Sequence, residues 1–280
     1  MNKIKVRGFS VKRFLGIAVL AALSACQTVQ TTQPGVVGVN RLQKMSVSEA
    51  QVDQAATQEY AQVIADAQKK GKLDANSEEY SRVKEVSTRL IKQTPAFRPD
   101  ALNWGWEMHV ISSEEVNAWC MPGGKIAAYS GLLEKLHLTD DELAAVFGHE
   151  MAHALREHAR ERASEQMGTG VFASVIDVVG SMYGIQGAGK IAGTGLQLGM
   201  ELPHSRVQET EADRIGVELA ARAGYNPHAA VTLWEKMGKE GGSEPPQFLS
   251  THPSSATRLQ DLTDYAQRVM PLYEQAKNSH

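Results

Sequence analysis

Two cysteines, Cys26 and Cys120, are all that 280 residues offer, so no disulfide framework carries the fold. Basic residues are not in excess: 29 Lys and Arg stand against 32 Asp and Glu, a formal net charge of −3. No basic patch suggests a nucleic-acid partner. Long apolar runs are missing too. The stretch 14–23 is too short to span a bilayer comfortably. The Gly-rich segment 167–200, whose only charges are Asp177 and Lys190, holds no run long enough for a membrane helix. It reads either as a buried helix pair or as a mobile lid or membrane-touching hairpin.

What the chain does have begins with a leader. Lys3, Lys5, Arg7, Lys12 and Arg13 precede a short apolar stretch, without an acidic residue among them. Leu23-Ser24-Ala25-Cys26 then reads as a bacterial lipobox, so residues 1–25 are expected to be removed and Cys26 lipidated. Losing five cations leaves the remainder strongly acidic. Residues 26–45 are rich in Thr, Gln and Gly and read as a flexible tether. Residues 46–280 are enough for one domain with a substantial core. Ser46-Val47-Ser48-Glu49 is expected to open a helix to about Lys69, another helix to run from Asn76 to before Pro95, and strands to lie over 106–111, 116–120 and 125–129. The fold class is therefore α+β. The lone remaining thiol, Cys120, is expected to be buried, since the compartment is oxidising.

The most informative stretch is His149-Glu150-Met151-Ala152-His153. Residues four apart share a helix face, so two imidazoles can reach one Zn²⁺ at about 2.0–2.1 Å each. Glu150 then falls beside the open position, where it can take a proton from water. Thr139-Asp140-Asp141-Glu142 has the form of a capping box, and the helix it opens is expected to run beyond residue 160. Its charged outer end reads as solvated, and His158, five residues past His153, as a surface histidine. Gly148 suits a close approach by another element.

A zinc hydrolase needs a third protein ligand and an open fourth position. Glu209 and Asp213 are four apart, hence on one helical face. Glu209 can bind the metal, while Asp213 can accept the distal N–H of a ligand histidine. Glu211 faces away by about 200°. A third cluster, His252-Pro253 followed by Arg258, can present two donors to a developing oxyanion.

Together, H-E-M-A-H, S-R-x-x-E-x-x-A-D and H-P-x-x-x-x-R resemble the gluzincin peptidase family that includes the CAAX prenyl protease, HtpX and the mitochondrial Oma protease. Asn117-Ala118-Trp119-Cys120-Met121-Pro122-Gly123-Gly124-Lys125-Ile126 matches its strand–turn–strand ahead of the metal helix. The resemblance covers about 104–262 and implies a mostly helical zincin-like domain, with a small sheet whose edge lies over the active-site helix. It implies one Zn²⁺ held by His149, His153 and Glu209, Glu150 as general base and Asp213 as a ligand's partner. His252 and Arg258 would stabilise the transition state or gate the site. In layout the chain is similar to small periplasmic lipoprotein members. Gln27, in place of an Asp after the lipidated cysteine, points by the same resemblance to the outer membrane, facing the periplasm.

The expected activity is zinc-dependent endopeptidase cleavage of misfolded or misassembled envelope proteins. Extended substrate would pair with a strand, either Asn117, Ala118, Trp119 and Cys120 or the stretch 126–129. The competing class is a chaperone or assembly scaffold with a structural zinc, which would need a fourth ligand. His252 is the candidate.

Overall fold

The computed structural model describes residues 27–169, 175–183, 204–240, 246–253 and 255–278. Cys26, the leader and most of the Gly-rich segment lie outside them. The stretch expected to be a tether is folded onto the domain. Gln27–Val29 (β1) pairs antiparallel with Gln43–Met45 (β2), and Val37, Val39 and Met45 are buried between these strands and the body. Its polar groups find partners there. Val37 N–H donates to Glu218 Oε2 at 2.9 Å, and Gln43, fully buried, donates to the Arg156 carbonyl at 2.8 Å. Composition made this segment look like a linker because composition does not show distant acceptors.

Caps set the helix starts. Ser48 and Gln51 form a capping box at the head of Glu49–Lys69 (α1). Asn76 accepts from the Glu78 and Glu79 amides to open Ser77–Ile91 (α2). The sheet follows: Glu107–Ile111 (β3), Ala118–Met121 (β4) and Lys125–Tyr129 (β5) lie in the order β3-β5-β4. β3 runs parallel to β5 and β4 antiparallel to it. Gly123 and Gly124, at φ 74° and 82°, make the tight β4–β5 turn in a region that side-chain-bearing residues avoid.

Alternation along the strands puts successive residues on opposite faces. Ala118, Cys120, Ile126 and Ala128 pack into one core with the helices described next. Trp119, Met121 and Ala127 pack into a second core with α1. The sheet is thus covered on both faces, which is why β4 is apolar throughout rather than alternating.

Ser130–Leu136 (α3) leads into Asp140–Leu155 (α4), whose Thr139–Glu142 capping box forms. Almost the whole of α4 is buried. It does not run beyond residue 160. Arg156 ends it, Glu157 takes a left-handed φ of 51°, and His158–Thr169 (α5) departs in a new direction. Such a conformation costs a non-glycine residue about 1–2 kcal/mol. Ion pairs from the Glu157 carboxylate to Arg98 at 2.6 Å and Arg160 at 2.7 Å help to offset it. The charged end expected to be solvated is interior: Arg156, His158, Glu161 and Arg162 are all buried.

Val175–Met182 (α6), Arg206–Arg222 (α7), Ala229–Glu240 (α8), Gln247–Thr251 (α9) and Arg258–Lys277 (α10) complete the described chain. α4 and α7 cross where Gly148 meets Gly216. A Cβ on Gly148 would sit 2.7 Å from the Gly216 carbonyl oxygen, and one on Gly216 2.7 Å from the His149 nitrogen. Only a glycine pair permits this backbone approach, and it sets the distance between the two helices that carry the site. Among the described residues no helix is long and apolar enough to cross a membrane.

Candidate metal centre

α4 presents His149 and His153 on one face, their Nε2 atoms 3.1 Å apart. α7, held close by the glycine crossing, presents Glu209 and Asp213 toward them. His153 Nε2 lies 3.3 Å from Glu209 Oε1, and His149 Nε2 3.5 Å from Glu209 Oε2. His252, at the end of α9 where Pro253 stops the helix, adds Nδ1. That atom is 3.2 Å from His149 Nε2 and 3.0 Å from Glu209 Oε1. Donor atoms of His149, His153, Glu209 and His252 thus converge, and all four residues are buried.

These spacings fit a tetrahedral ion. Four ligands at about 2.0–2.1 Å from a zinc are roughly 3.3–3.4 Å from one another. The chemistry also fits: buried imidazole and carboxylate donors suit Zn²⁺. Glu209 Oε2 and Glu150 Oε1 are buried and make no hydrogen bond among the described residues, although Arg258 and His252 lie 3.2 Å and 3.3 Å away, so each keeps the capacity to meet a metal ion or a water. His149 Nδ1 is 2.9 Å from Asp213 Oδ1. An ionised carboxylate only accepts, so Nδ1 carries the proton and Nε2 offers its lone pair.

Arg258, first residue of α10, is buried over the Trp234 ring. It donates to Asp213 Oδ1 at 2.7 Å and lies 3.2 Å from Glu209 Oε2. It therefore bridges the two α7 carboxylates, and its Nε finds no partner among the described residues.

The two functional carboxylates are tuned in opposite directions. Burial pushes Glu150 above the usual carboxylate range, partly countered by His252 and His149. Burial also works against Glu209, but the charge of His252 and hydrogen bonds from His153 and His252 hold it well below that range. One carboxylate is set to exchange protons and the other to remain an anion.

The strand expected to take substrate, Asn117 to Cys120, runs into β4, one of the two edges of the sheet, and β4 packs on α4. The alternative, 126–129, is ruled out because β5 is the central strand, paired on both sides. Part of the β4 edge is already engaged. Ala118 N–H donates to Asn117 Oδ1 at 2.9 Å, and the Cys120 carbonyl accepts from Tyr183 at 3.4 Å. Cys120 itself is a buried free thiol.

Three residues were not legible as part of this centre. His158 is no surface histidine: it is fully buried, with Nδ1 2.8 Å from His153 Nδ1. Its position follows from the turn at Glu157, since an unbroken helix would have carried it off the metal face. The His204 ring lies 4.0 Å from that of His153, and Arg162 meets its Nδ1 at 3.0 Å. A histidine just ahead of a Ser N-cap carries no local signal. Gly216 gave none either, because its partner Gly148 is on another helix.

Residues 77–266 match the family model described as Peptidase family M48. The chain belongs to this family. It is 27% identical over 261 residues to the metalloprotease LoiP of Escherichia coli, covering 93% of this chain and 97% of LoiP. It is 38% identical over 159 residues to the mitochondrial metalloendopeptidase OMA1 of Arabidopsis thaliana, covering 55% of this chain and 30% of that one. The beta-barrel assembly-enhancing protease of Escherichia coli is 30% identical over 177 residues, 60% of this chain and 36% of its own. The chain spans 30% to 50% of the length of the plant and yeast OMA1 endopeptidases. Within M48 membership, the convergence of His149, His153 and Glu209 supplies a donor set for a metal, with Glu150 beside it.

Proposed function

We propose that this M48 protein is a zinc-dependent endopeptidase, anchored by lipid on Cys26 to the outer membrane and facing the periplasm. It would cleave misfolded or misassembled envelope proteins. The observation that carries the catalytic reading is the set of buried donor atoms at tetrahedral spacing, with the Glu150 carboxylate next to them. His149, His153 and Glu209 would hold the ion. Zinc, when bound, supplies Lewis acidity toward a scissile carbonyl and lowers the pKa of water.

The chain's own groups account for the rest. Glu150, raised by burial, accepts a proton from the attacking water and returns it to the leaving amine. Asp213 fixes the His149 ring and its tautomer. Arg258 holds Glu209 and Asp213 in place and, with His252, lies within reach of a developing oxyanion. The β4 edge would bind extended polypeptide by main-chain hydrogen bonds, which tolerate many sequences. That suits unfolded substrates. The lipobox at Leu23-Ser24-Ala25-Cys26 and the similarity to LoiP support the envelope location.

The test is cleavage of an unfolded protein such as reduced casein by the purified soluble form. Activity should need zinc, and Glu150→Gln should retain the metal but lose activity by about 10²–10⁴. Activity within tenfold of wild type would remove Glu150 as the base. A second reading, a chaperone or assembly scaffold, rests on His252: as a fourth donor it would close the site. Full zinc loading without cleavage in the wild type would favour it.

A further inference from the structure

We infer that His158 is a positioning residue: through Glu211 and Arg41 it fixes which nitrogen of His153 is free to bind the metal. The proposal rests on the zinc reading above and extends it to residues that touch neither metal nor substrate.

The geometry runs in one line. Arg41, on the folded segment ahead of α1, donates from Nε to Glu211 Oε1 and from Nη2 to Glu211 Oε2, each at 2.9 Å. Arg156, wholly buried at the end of α4, lies 3.2 Å from both Glu211 oxygens. With two guanidinium groups on it, Glu211 is an anion and only accepts. His158 Nε2 lies 3.0 Å from Glu211 Oε2, so that nitrogen carries the His158 proton. The ring is wholly buried, and Glu211 already meets the guanidinium groups of Arg41 and Arg156, so no unmatched counter-charge waits for a third cation there; a neutral ring leaves Nδ1 as an acceptor. His153 Nδ1, 2.8 Å away, must then be the donor. Its own Nε2 is left with a lone pair, aimed at the cluster 3.1 Å from His149 Nε2.

Asp213 imposes the same tautomer on His149 directly. Among the described residues no carboxylate reaches His153 Nδ1; the neutral ring of His158 stands between it and Glu211. The anion's preference is passed on without placing a second bare carboxylate against the ligand. Two consequences are specific. Removing the acceptor at position 158 lets His153 populate the other tautomer, whose Nε2–H cannot bind metal. Any side chain that accepts on one side and donates on the other, spaced like an imidazole, should restore the order. Gln meets that description.

The experiment has two arms. In zinc-free wild-type protein, ¹⁵N chemical shifts of His153 should show Nδ1 protonated and Nε2 bare. This arm needs no variant and no bound metal. In the second arm, zinc affinity is measured by competition with a chromophoric chelator. His158→Leu should weaken binding by about 10–100-fold and show mixed His153 tautomers, and His158→Gln should recover most of the affinity. Thermal unfolding of the zinc-free forms checks that both variants are folded. A proton on His153 Nε2 in the wild type overturns the proposal. So does wild-type affinity in folded His158→Leu, or equal losses in the Leu and Gln variants. If the wild type binds no zinc, the zinc reading fails by itself, while the tautomer arm still decides whether His158 orders His153.

Discussion

His252 Nε2 lies 3.3 Å from Glu150 Oε1, so one ring touches the base with one nitrogen and the donor cluster with the other. The imidazole fills the space between Glu209 and Glu150 where an attacking water would have to sit. Pro253 keeps this histidine on a loop rather than in a helix, and a loop can withdraw. Arg258, locked by Asp213 and Glu209, cannot. Arg258→Ala should therefore lower kcat by roughly 10²–10³, the usual cost of one lost oxyanion donor, and weaken zinc retention as well. His252→Ala should cost less, or raise basal cleavage. Steady-state kinetics on unfolded substrate separate the two; equal losses in both would remove any gating role for His252.

Gly216→Ala should separate α4 from α7. Its Cβ would lie 2.7 Å from the His149 nitrogen and 2.8 Å from the Gly148 carbonyl carbon, and backbone cannot step aside as a side chain can. Overpacking of this kind costs about 1–3 kcal/mol. The His149–Asp213 contact should stretch with it, so zinc retention should fall too. Urea midpoints and metal content after dialysis check both; wild-type values would show that the crossing has slack.

Acid should loosen the clamp between the N-terminal segment and the domain. Burial pushes the Glu161 carboxyl up, but hydrogen bonds from Arg41, Gln208 and Gln43 bring it down to about 2, from an ordinary 4.5. A depressed folded-state pKa stabilises above the unfolded value, and that stabilisation is lost as the folded-state group takes up its proton. Glu161 therefore contributes fully above pH 4.5 and progressively less down to about 2. Urea midpoints should fall across that window, and Glu161→Gln should flatten the slope. An unchanged slope in the variant would show that other carboxylates govern acid unfolding.

Cys26→Ser should abolish fatty-acid labelling and release the protein from the outer-membrane fraction. Labelling and fractionation that match the wild type would rule out Cys26 as the anchor.

The parts of this molecule that were legible in the sequence depend on short spacing. His149 and His153, or Glu209 and Asp213, lie one helical turn apart, so their faces follow from the chain itself. The box at Thr139 closes over three residues, and β5 occupies the expected 125–129. What was not legible depends on partners far along the chain. Arg41 meets Glu161 and Glu211 across 120 and 170 positions. Without those acceptors in view, a polar stretch reads as linker. His158 failed for a related reason: one residue, Glu157, leaves helical geometry and redirects everything after it.

The folding of residues 27–45 also sets a length scale. As a loose leash, about twenty residues would let the body range roughly 65–70 Å from its lipid. With Gln27 already in a strand paired to Met45, and lipid on Cys26 as proposed, almost none of that slack remains. A domain of this size is roughly 45 Å across. Its working radius is then about its own diameter, and polypeptide stranded at the membrane surface falls inside that radius while protein free in the surrounding volume passes beyond it.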